Sequence, residues 1–150
     1  MEITGERVLT LEVLRIQGPG KLSGEISVHG AKNSTLPLLA ASLFCKSEAV
    51  LHNCPLLSDV DTAVRILRTL GCRVRREGHT LTIDASTLSG DEIPENLMRE
   101  MRSSIVFLGA VVSRLGKARL SFPGGCELGP RPIDLHLAAL RKMGLHIRED

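Results

Sequence analysis

Apolar residues recur along the chain at two spacings, near two and near 3.6 residues, and the two alternate. Leu22, Ile26 and Val28 alternate with polar positions, as in a strand with one buried face. From about Ser34 the spacing turns helical, with Leu36, Leu39, Ala40 and Leu43 at i, i+3, i+4 and i+7. Pro37 fits within the first turn of that helix. Val50-Leu51-His52 reads as a short strand. Ser58 or Asp59 is placed to cap a helix that carries Val60, Ala63, Val64 and Leu67 and stops at Gly71. Arg73–Arg76 and Thr80–Asp84 form a predicted hairpin around Glu77-Gly78. A long helix is expected over roughly Glu95–Arg114, with Leu97, Met101, Ile105, Leu108 and Val112 on one face. Arg119–Phe122 reads as a strand, Arg131–Met143 as a helix ending at Gly144, and His146–Arg148 as a further strand. The fold class is therefore α/β, mixed α+β, built of repeated βαβ-type units.

The units repeat in sequence as well as in pattern. Leu67-Arg68-Thr69-Leu70-Gly71-Cys72-Arg73-Val74-Arg75 aligns with Leu140-Arg141-Lys142-Met143-Gly144-Leu145-His146-Ile147-Arg148 at an offset of 73. Upstream, Ala49-Val50-Leu51 aligns with Ala118-Arg119-Leu120 at an offset of 69. The second copy thus carries four extra residues between strand and helix, in the loop that holds Cys126. An enlarged loop on a repeated scaffold is a common place for function, although drift in loop length would leave the same trace.

Composition narrows the possibilities. The chain has 150 residues, 43% of them hydrophobic, enough for a core and too many for a disordered tail. The longest apolar run, Ile105–Val112, is well short of a membrane span. The first residues lack the basic end and apolar stretch of a secretory signal. With 19 Lys+Arg against 17 Asp+Glu, no Trp, no Tyr and three Phe, a nucleic-acid partner is not expected. Cys45, Cys54, Cys72 and Cys126 contain no C-x-x-C pair, so neither a zinc site nor a disulfide framework is expected. The five histidines show no metal spacing.

Three places carry candidate chemistry. Cys126 lies in Phe122-Pro123-Gly124-Gly125-Cys126-Glu127-Leu128-Gly129-Pro130, through which no helix or strand can run. Arg131 follows, where the next helix is expected to begin. A helix N-terminus with a guanidinium favours an anion and also a thiolate, so Cys126 is either a nucleophile or proton donor, or a structural thiol in a turn. Gly30-Ala31-Lys32-Asn33-Ser34 is a second anion candidate, though its spacing is not that of a phosphate loop and a solvated lysine would look the same. Arg102 sits early in the predicted long helix, against the helix dipole, which makes sense beside a bound anion or as a plain surface arginine. Arg65, Arg68, Arg73, Arg75 and Arg76 are expected to form a solvated face.

A resemblance emerges from these residues in order. Ile16-Gln17-Gly18-Pro19, Leu22-Ser23-Gly24, Gly30-Ala31-Lys32-Asn33, Asp59-Val60-Asp61, Met101-Arg102-Ser103-Ser104-Ile105, Pro123-Gly124-Gly125-Cys126 and Gly129-Pro130-Arg131-Pro132-Ile133-Asp134-Leu135-His136 together resemble the UDP-N-acetylglucosamine 1-carboxyvinyltransferase (enolpyruvyl transferase) family. The Lys-Asn pair is shared with the shikimate-phosphate enolpyruvyl transferases, and the Cys loop separates the two. The resemblance implies transfer of the enolpyruvyl group from phosphoenolpyruvate to the 3-hydroxyl of UDP-N-acetylglucosamine, with release of phosphate. That is the first committed step of bacterial peptidoglycan synthesis, in the cytoplasm, on which cell shape and division depend. It implies no metal, no organic cofactor and no membrane partner. It also implies an inside-out α/β barrel, here incomplete, with residues 1–31 as an extension and first strand and residues 32–150 as a truncated first lobe.

By position, the resemblance gives phosphoenolpyruvate to Lys32 and Asn33, and UDP-N-acetylglucosamine to Arg102, Arg131, Pro132, Ile133, Asp134 and Leu135. Cys126 becomes the general acid toward the methylene carbon, able to form a covalent adduct and open to alkylation by the epoxide fosfomycin. The family's chain is far longer, so a missing C-terminal lobe is expected to be needed for activity. The alternatives are a sister enzyme, such as the shikimate 3-phosphate transferase or an RNA 3′-phosphate cyclase-like protein, and a non-catalytic sugar-nucleotide-binding fragment.

Overall fold

A computed structural model describes residues 15–18, 20–21, 23–124 and 132–149. Its first helix, α1 (Lys32–Ala41), starts two residues before the expected position and runs into a 3₁₀ turn at Ser42–Phe44. Thr35, Leu36, Leu39 and Ala40 form its buried side, continued by Leu43. β1 (Ala49–Leu51) leads to α2 (Ser58–Thr69), then to the hairpin of β2 (Arg73–Glu77) and β3 (Thr80–Asp84). β1 and β2 each pair antiparallel with β3, which lies between them in the order β1-β3-β2. The two flanking strands are therefore parallel, and β1-α2-β2 is a βαβ unit split by the inserted β3. β4 (Glu92–Ile93) and β5 (Arg119–Leu120) pair in parallel across the helices α3 (Glu95–Glu100) and α4 (Val106–Leu115), a second βαβ unit. The last helix is α5 (Asp134–Lys142). The described strands form no closed barrel, consistent with an incomplete one.

Alternation decides which face of the sheet is covered. Leu81 and Ile83 of β3 are fully buried, with Leu51 and Val74 packed beside them, whereas Thr82 and its partners Val50 and Arg75 lie on the open side. Over the buried face, α1 packs against both α2 and α4. The core gathers Leu36, Leu39, Val60, Ile66, Leu67, Met98, Met101 and Phe107.

Several expectations need correction. Neither Ser58 nor Asp59 caps α2; both are already helical, and Leu57 precedes the helix with no side-chain cap. The long helix over 95–114 is interrupted. Met101 leaves helical geometry at φ −130°, ψ 116°, and a 3₁₀ turn spans Arg102–Ile105 before α4 begins. The break rotates the buried face, so Phe107, Ala110 and Val111 point inward while Ile105, Leu108 and Val112 are only half-buried. Met101 itself is fully buried, which is what the kinked backbone achieves. The last helix begins at Asp134 rather than Arg131, and Arg131 lies outside the described residues.

Two expected strands do not form. Residues 23–31 and 145–149 carry no regular structure, and Ile26 and Val28 are 89% and 81% exposed; Leu22 lies outside the described residues. Of the five arginines expected to be solvated, Arg65, Arg68, Arg73 and Arg75 are exposed, and Arg76 is the exception. Arg65 bonds Glu100, Arg68 donates to the Val74 carbonyl, and Arg76 is mostly covered where it reaches Asp61 and the Pro55 carbonyl.

The repeat is visible in backbone geometry. Gly71 and Gly144 both adopt left-handed φ, +97° and +94°. The Cys72 N–H donates to the Leu67 carbonyl at 2.9 Å, as the Leu145 N–H does to Leu140 at 3.1 Å. Each pair lies at the offset of 73, so the same helix-ending motif is written twice. β1 and β5 correspond in the same way at the offset of 69.

Candidate functional site

Lys32 is the first residue of α1, and a short network fixes where that helix starts. The Gly30 N–H donates to the Asn53 carbonyl at 3.0 Å. A Cβ on residue 30 would stand 2.3 Å from that same oxygen, so only glycine allows this approach. His29 stacks on His79 with ring centroids 4.5 Å apart, and His79 Nδ1 lies 3.0 Å from the Cys54 carbonyl oxygen. The chain before α1 is thereby pinned to the turn after β1.

From this start Lys32 reaches across to α2, where its Nζ lies 2.7 Å from Asp59 Oδ2. The carboxylate occupies the first turn of α2, which the helix dipole favours, and it offsets the cation that the α1 dipole disfavours. Asn33 follows on the exposed first turn of α1.

Arg102 belongs to the 3₁₀ turn after the break at Met101 and is half-buried. Two contacts hold that turn. Glu100 Oε2 accepts from Thr62 Oγ1 at 3.1 Å and from Arg65 Nη1 at 2.5 Å, tying the end of α3 to α2. Ser104 Oγ, fully buried, donates to the Met98 carbonyl at 3.0 Å. That carbonyl also accepts the Gly124 N–H at 3.0 Å. The Arg102 turn and the start of the Cys126 loop therefore share one acceptor. Cys126 lies two residues beyond this anchor, at most about 7 Å of chain, but it and Arg131 are outside the described residues. An open cleft of about 410 Å³ borders the anchor, lined by Arg99, Phe122, Pro123 and Gly124.

The remaining candidates sit apart. Pro132 is exposed, Ile133 is half-buried ahead of α5, and Asp134 and Leu135 are exposed on its first turn. Among the described residues, no hydrogen bond or ion pair joins residues 132–135 to Lys32, Asn33 or Arg102. Lys32 and Arg102, in contrast, are linked through α2. Asp59 and Thr62 stand three positions apart, on adjacent turns of one helix face, and hold Lys32 and Glu100 respectively. The sequence gives Asp59 a capping role and a place in the Asp59-Val60-Asp61 motif, and Ser104 a place in the Met101–Ile105 motif with no role. Thr62 and Glu100 are not singled out, and the only hint of Glu100 is an acidic residue just before Met101-Arg102.

The buried Cys54 and Cys72 are not candidates. Burial raises the Cys72 thiol to about 11, helped by the nearby Asp84 carboxylate and opposed by Arg114. Burial likewise raises Cys54, opposed by Arg76. Both behave as small core hydrophobes. Among the described residues, no cluster of His, Cys, Asp and Glu could hold a metal ion, and no helix is long and apolar enough to cross a membrane.

Comparison with known proteins places these features in a family. A family model described as EPSP synthase (3-phosphoshikimate 1-carboxyvinyltransferase) matches residues 16–150. A protein of Caldanaerobacter subterraneus subsp. tengcongensis named UDP-N-acetylglucosamine 1-carboxyvinyltransferase 2 is 52% identical over 135 residues, 90% of this chain and 32% of its own length. UDP-N-acetylglucosamine 1-carboxyvinyltransferase 1 of Symbiobacterium thermophilum is 47% identical over 139 residues, 89% of this chain and 32% of its own. The chain thus spans about a third of the length of the curated relatives it matches. Among solved structures, the enolpyruvyl transferase NikO from Streptomyces tendae superposes with a TM-score of 0.76 at 29% identity, covering 89% of this chain and 29% of that one. With a family model matched from residue 16 to the last residue and a fold shared with a solved enolpyruvyl transferase, this chain belongs to the EPSP synthase (3-phosphoshikimate 1-carboxyvinyltransferase) family.

Proposed function

We propose that this chain supplies part of the active site that moves the enolpyruvyl group of phosphoenolpyruvate to the 3-hydroxyl of UDP-N-acetylglucosamine, releasing phosphate. It acts in the cytoplasm at the first committed step of peptidoglycan synthesis, and so serves cell shape and division. Relatives with that printed name support the choice of acceptor over shikimate 3-phosphate. The observation that carries the reading is the shared Met98 carbonyl, which fastens the Arg102 turn and the root of the Pro-Gly-Gly-Cys loop to one peptide.

The chemistry fits that grouping. Phosphoenolpyruvate carries a carboxylate and a phosphate, so fixed cations are needed to bind it and to steady charge as a tetrahedral adduct forms. Lys32 and Asn33 hold this donor. Arg102, Arg131 and residues Pro132–Leu135 hold the sugar nucleotide. Cys126 gives a proton to the methylene carbon while the sugar hydroxyl oxygen bonds to the neighbouring carbon. Loss of phosphate and return of a proton from the methyl group then regenerate the enol ether. The loop would close over the donor and exclude water during these steps. Residues 32–150 form the greater part of one lobe, and the deprotonating group for the hydroxyl comes from the other lobe.

The test joins residues 16–150 to the remaining two thirds of the Caldanaerobacter relative and follows phosphate release. Turnover is expected with UDP-N-acetylglucosamine and not with shikimate 3-phosphate. Fosfomycin should leave a single mass adduct, on Cys126. Turnover with the shikimate acceptor, or an unmodified Cys126 in the active chimera, would overturn the assignment. So would near-normal turnover by the 150-residue chain without any second lobe.

A further inference from the structure

The two cations assigned to the substrates are not held independently. Lys32 is gripped by Asp59, and the segment leading into Arg102 is gripped at Glu100 by Thr62 and Arg65. All three gripping residues belong to α2, and Asp59 and Thr62 stack on consecutive turns of one side. Val60, Val64 and Leu67 lock the far side of α2 in the core, and buried Ile66 stands between Asp59 and Thr62 on the gripping side itself, so the helix cannot roll. Thr62 is itself almost fully buried, and its hydroxyl has the Glu100 carboxylate as its partner. Glu100 stands two residues before Arg102 and one before the Met101 break, where backbone direction is set.

We propose that one side of α2 is the template that fixes the spacing of the two substrate-binding cations, with Asp59 positioning Lys32 directly and Thr62 positioning Arg102 through Glu100. The inference rests on the donor and sugar-nucleotide assignments made above. An ammonium has three donors, so the one used by Asp59 leaves two for an anionic ligand and removes the freedom of a long side chain. Asp59 and Thr62 touch no substrate in this scheme. Each acts on a different substrate because each acts through a different cation.

That division gives a readout that general destabilisation would not. In the chimera described above, KM for each substrate and kcat are measured for Asp59→Asn and Thr62→Val, with Glu100→Gln as a surface variant should Thr62→Val fold poorly. Lys32→Met and Arg102→Gln serve as controls on the underlying assignments. Asp59→Asn, which keeps shape and loses the charge, is expected to raise KM for phosphoenolpyruvate about tenfold, with the sugar-nucleotide KM within about twofold. Thr62→Val or Glu100→Gln is expected to do the reverse, raising only the sugar-nucleotide KM, by about threefold to tenfold. Asp59→Glu should restore part of the donor affinity. If both KM values move together, or neither moves while the two controls do, the template is wrong. If Lys32→Met and Arg102→Gln leave their own substrates' KM unchanged, the assignments fail and the template fails with them.

Discussion

Two glycine-to-alanine substitutions, fifteen residues apart, should change stability in opposite directions. At Gly124 an added Cβ would stand 2.1 Å from the Arg99 carbonyl oxygen, 2.8 Å from its carbon and 2.9 Å from its Cα. All three are backbone atoms of α3, so no side chain can swing aside. The loop must retreat by about 1 Å to reach ordinary contact, and the 3.0 Å bond from the Gly124 N–H to Met98 cannot survive that. A lost hydrogen bond costs about 1 kcal/mol and the forced shift about 1–3 kcal/mol, against at most about 1 kcal/mol regained from the stiffer unfolded chain. The net expectation is destabilisation by about 1–3 kcal/mol. Gly109, on the exposed side of α4, has nothing within 4 Å of where a Cβ would sit. There alanine gains helix propensity, about 1 kcal/mol of stabilisation. Urea unfolding of the 150-residue chain at neutral pH, followed by circular dichroism, gives both values. Amide exchange adds a local check, because Gly124→Ala should speed exchange at residue 124 beyond the change in global stability. Equal or same-sign shifts for the two variants would refute the anchoring of the Cys126 loop on α3.

Other outcomes follow from individual titratable and hydrogen-bonding groups. Cys72 has a folded pKa of about 11 against an ordinary thiol value of 9.0. Its burial therefore stabilises fully below pH 9, and that stability fades as pH climbs through 11. The loss is at most about 3 kcal/mol, and Cys72→Ala should flatten the alkaline limb of a urea midpoint against pH plot; an unchanged limb would contradict the cause. Asp91 and Asp84 lie on the opposite limb. Each carboxyl is held below the usual range, Asp91 by a hydrogen bond from Lys117 and Asp84 by hydrogen bonds from Ser86. Both contributions are present above the ordinary carboxylate pKa and vanish as pH falls through the lowered one, so Lys117→Met should shallow the acid limb. Ser104→Ala removes a buried donor but leaves Met98 its Gly124 partner, so a modest loss near 1 kcal/mol is expected in the same urea titration.

Local signals in the sequence were legible, and long-range ones were not. The hairpin at Glu77-Gly78, the helix stops at Gly71 and Gly144, and the apolar sides of α1 and α2 depend on neighbours within a few residues, and each appears where spacing put it. The break at Met101 could not be read that way. Leu97, Met101 and Ile105 continue a helical period without interruption, and what breaks it is tertiary: Ser104 bonding back to Met98, Gly124 reaching the same oxygen, and Glu100 held by α2. β4 escaped notice for a related reason, since two residues make no period and their order comes from parallel pairing with β5. In the candidate site, Lys32 and Arg102 were legible as cations, but a lysine's sequence does not disclose its carboxylate. Asp59 lies 27 positions away and becomes its partner only because α1 packs on α2.

The internal repeat separates these two kinds of information cleanly. Its two helices end in one hydrogen-bonding pattern at glycines of nearly equal φ, so the short-range code was copied whole. Their surroundings differ. α2 buries Val60, Thr62, Ala63, Val64, Ile66 and Leu67, whereas α5 buries only Leu137 and leaves Leu135 and Met143 at 79% and 76% exposure. The strand after α2 forms because β3 is there to pair with it; the equivalent residues 146–148 have no such neighbour among the described residues and stay irregular. Residues 23–28 show the same thing, an alternating pattern with its apolar side chains in water. A strand takes its hydrogen bonds from another strand, so alternation alone cannot hold one in place. Helix caps travel with the sequence that encodes them; strands, and the template side of α2, exist only where a second element meets them.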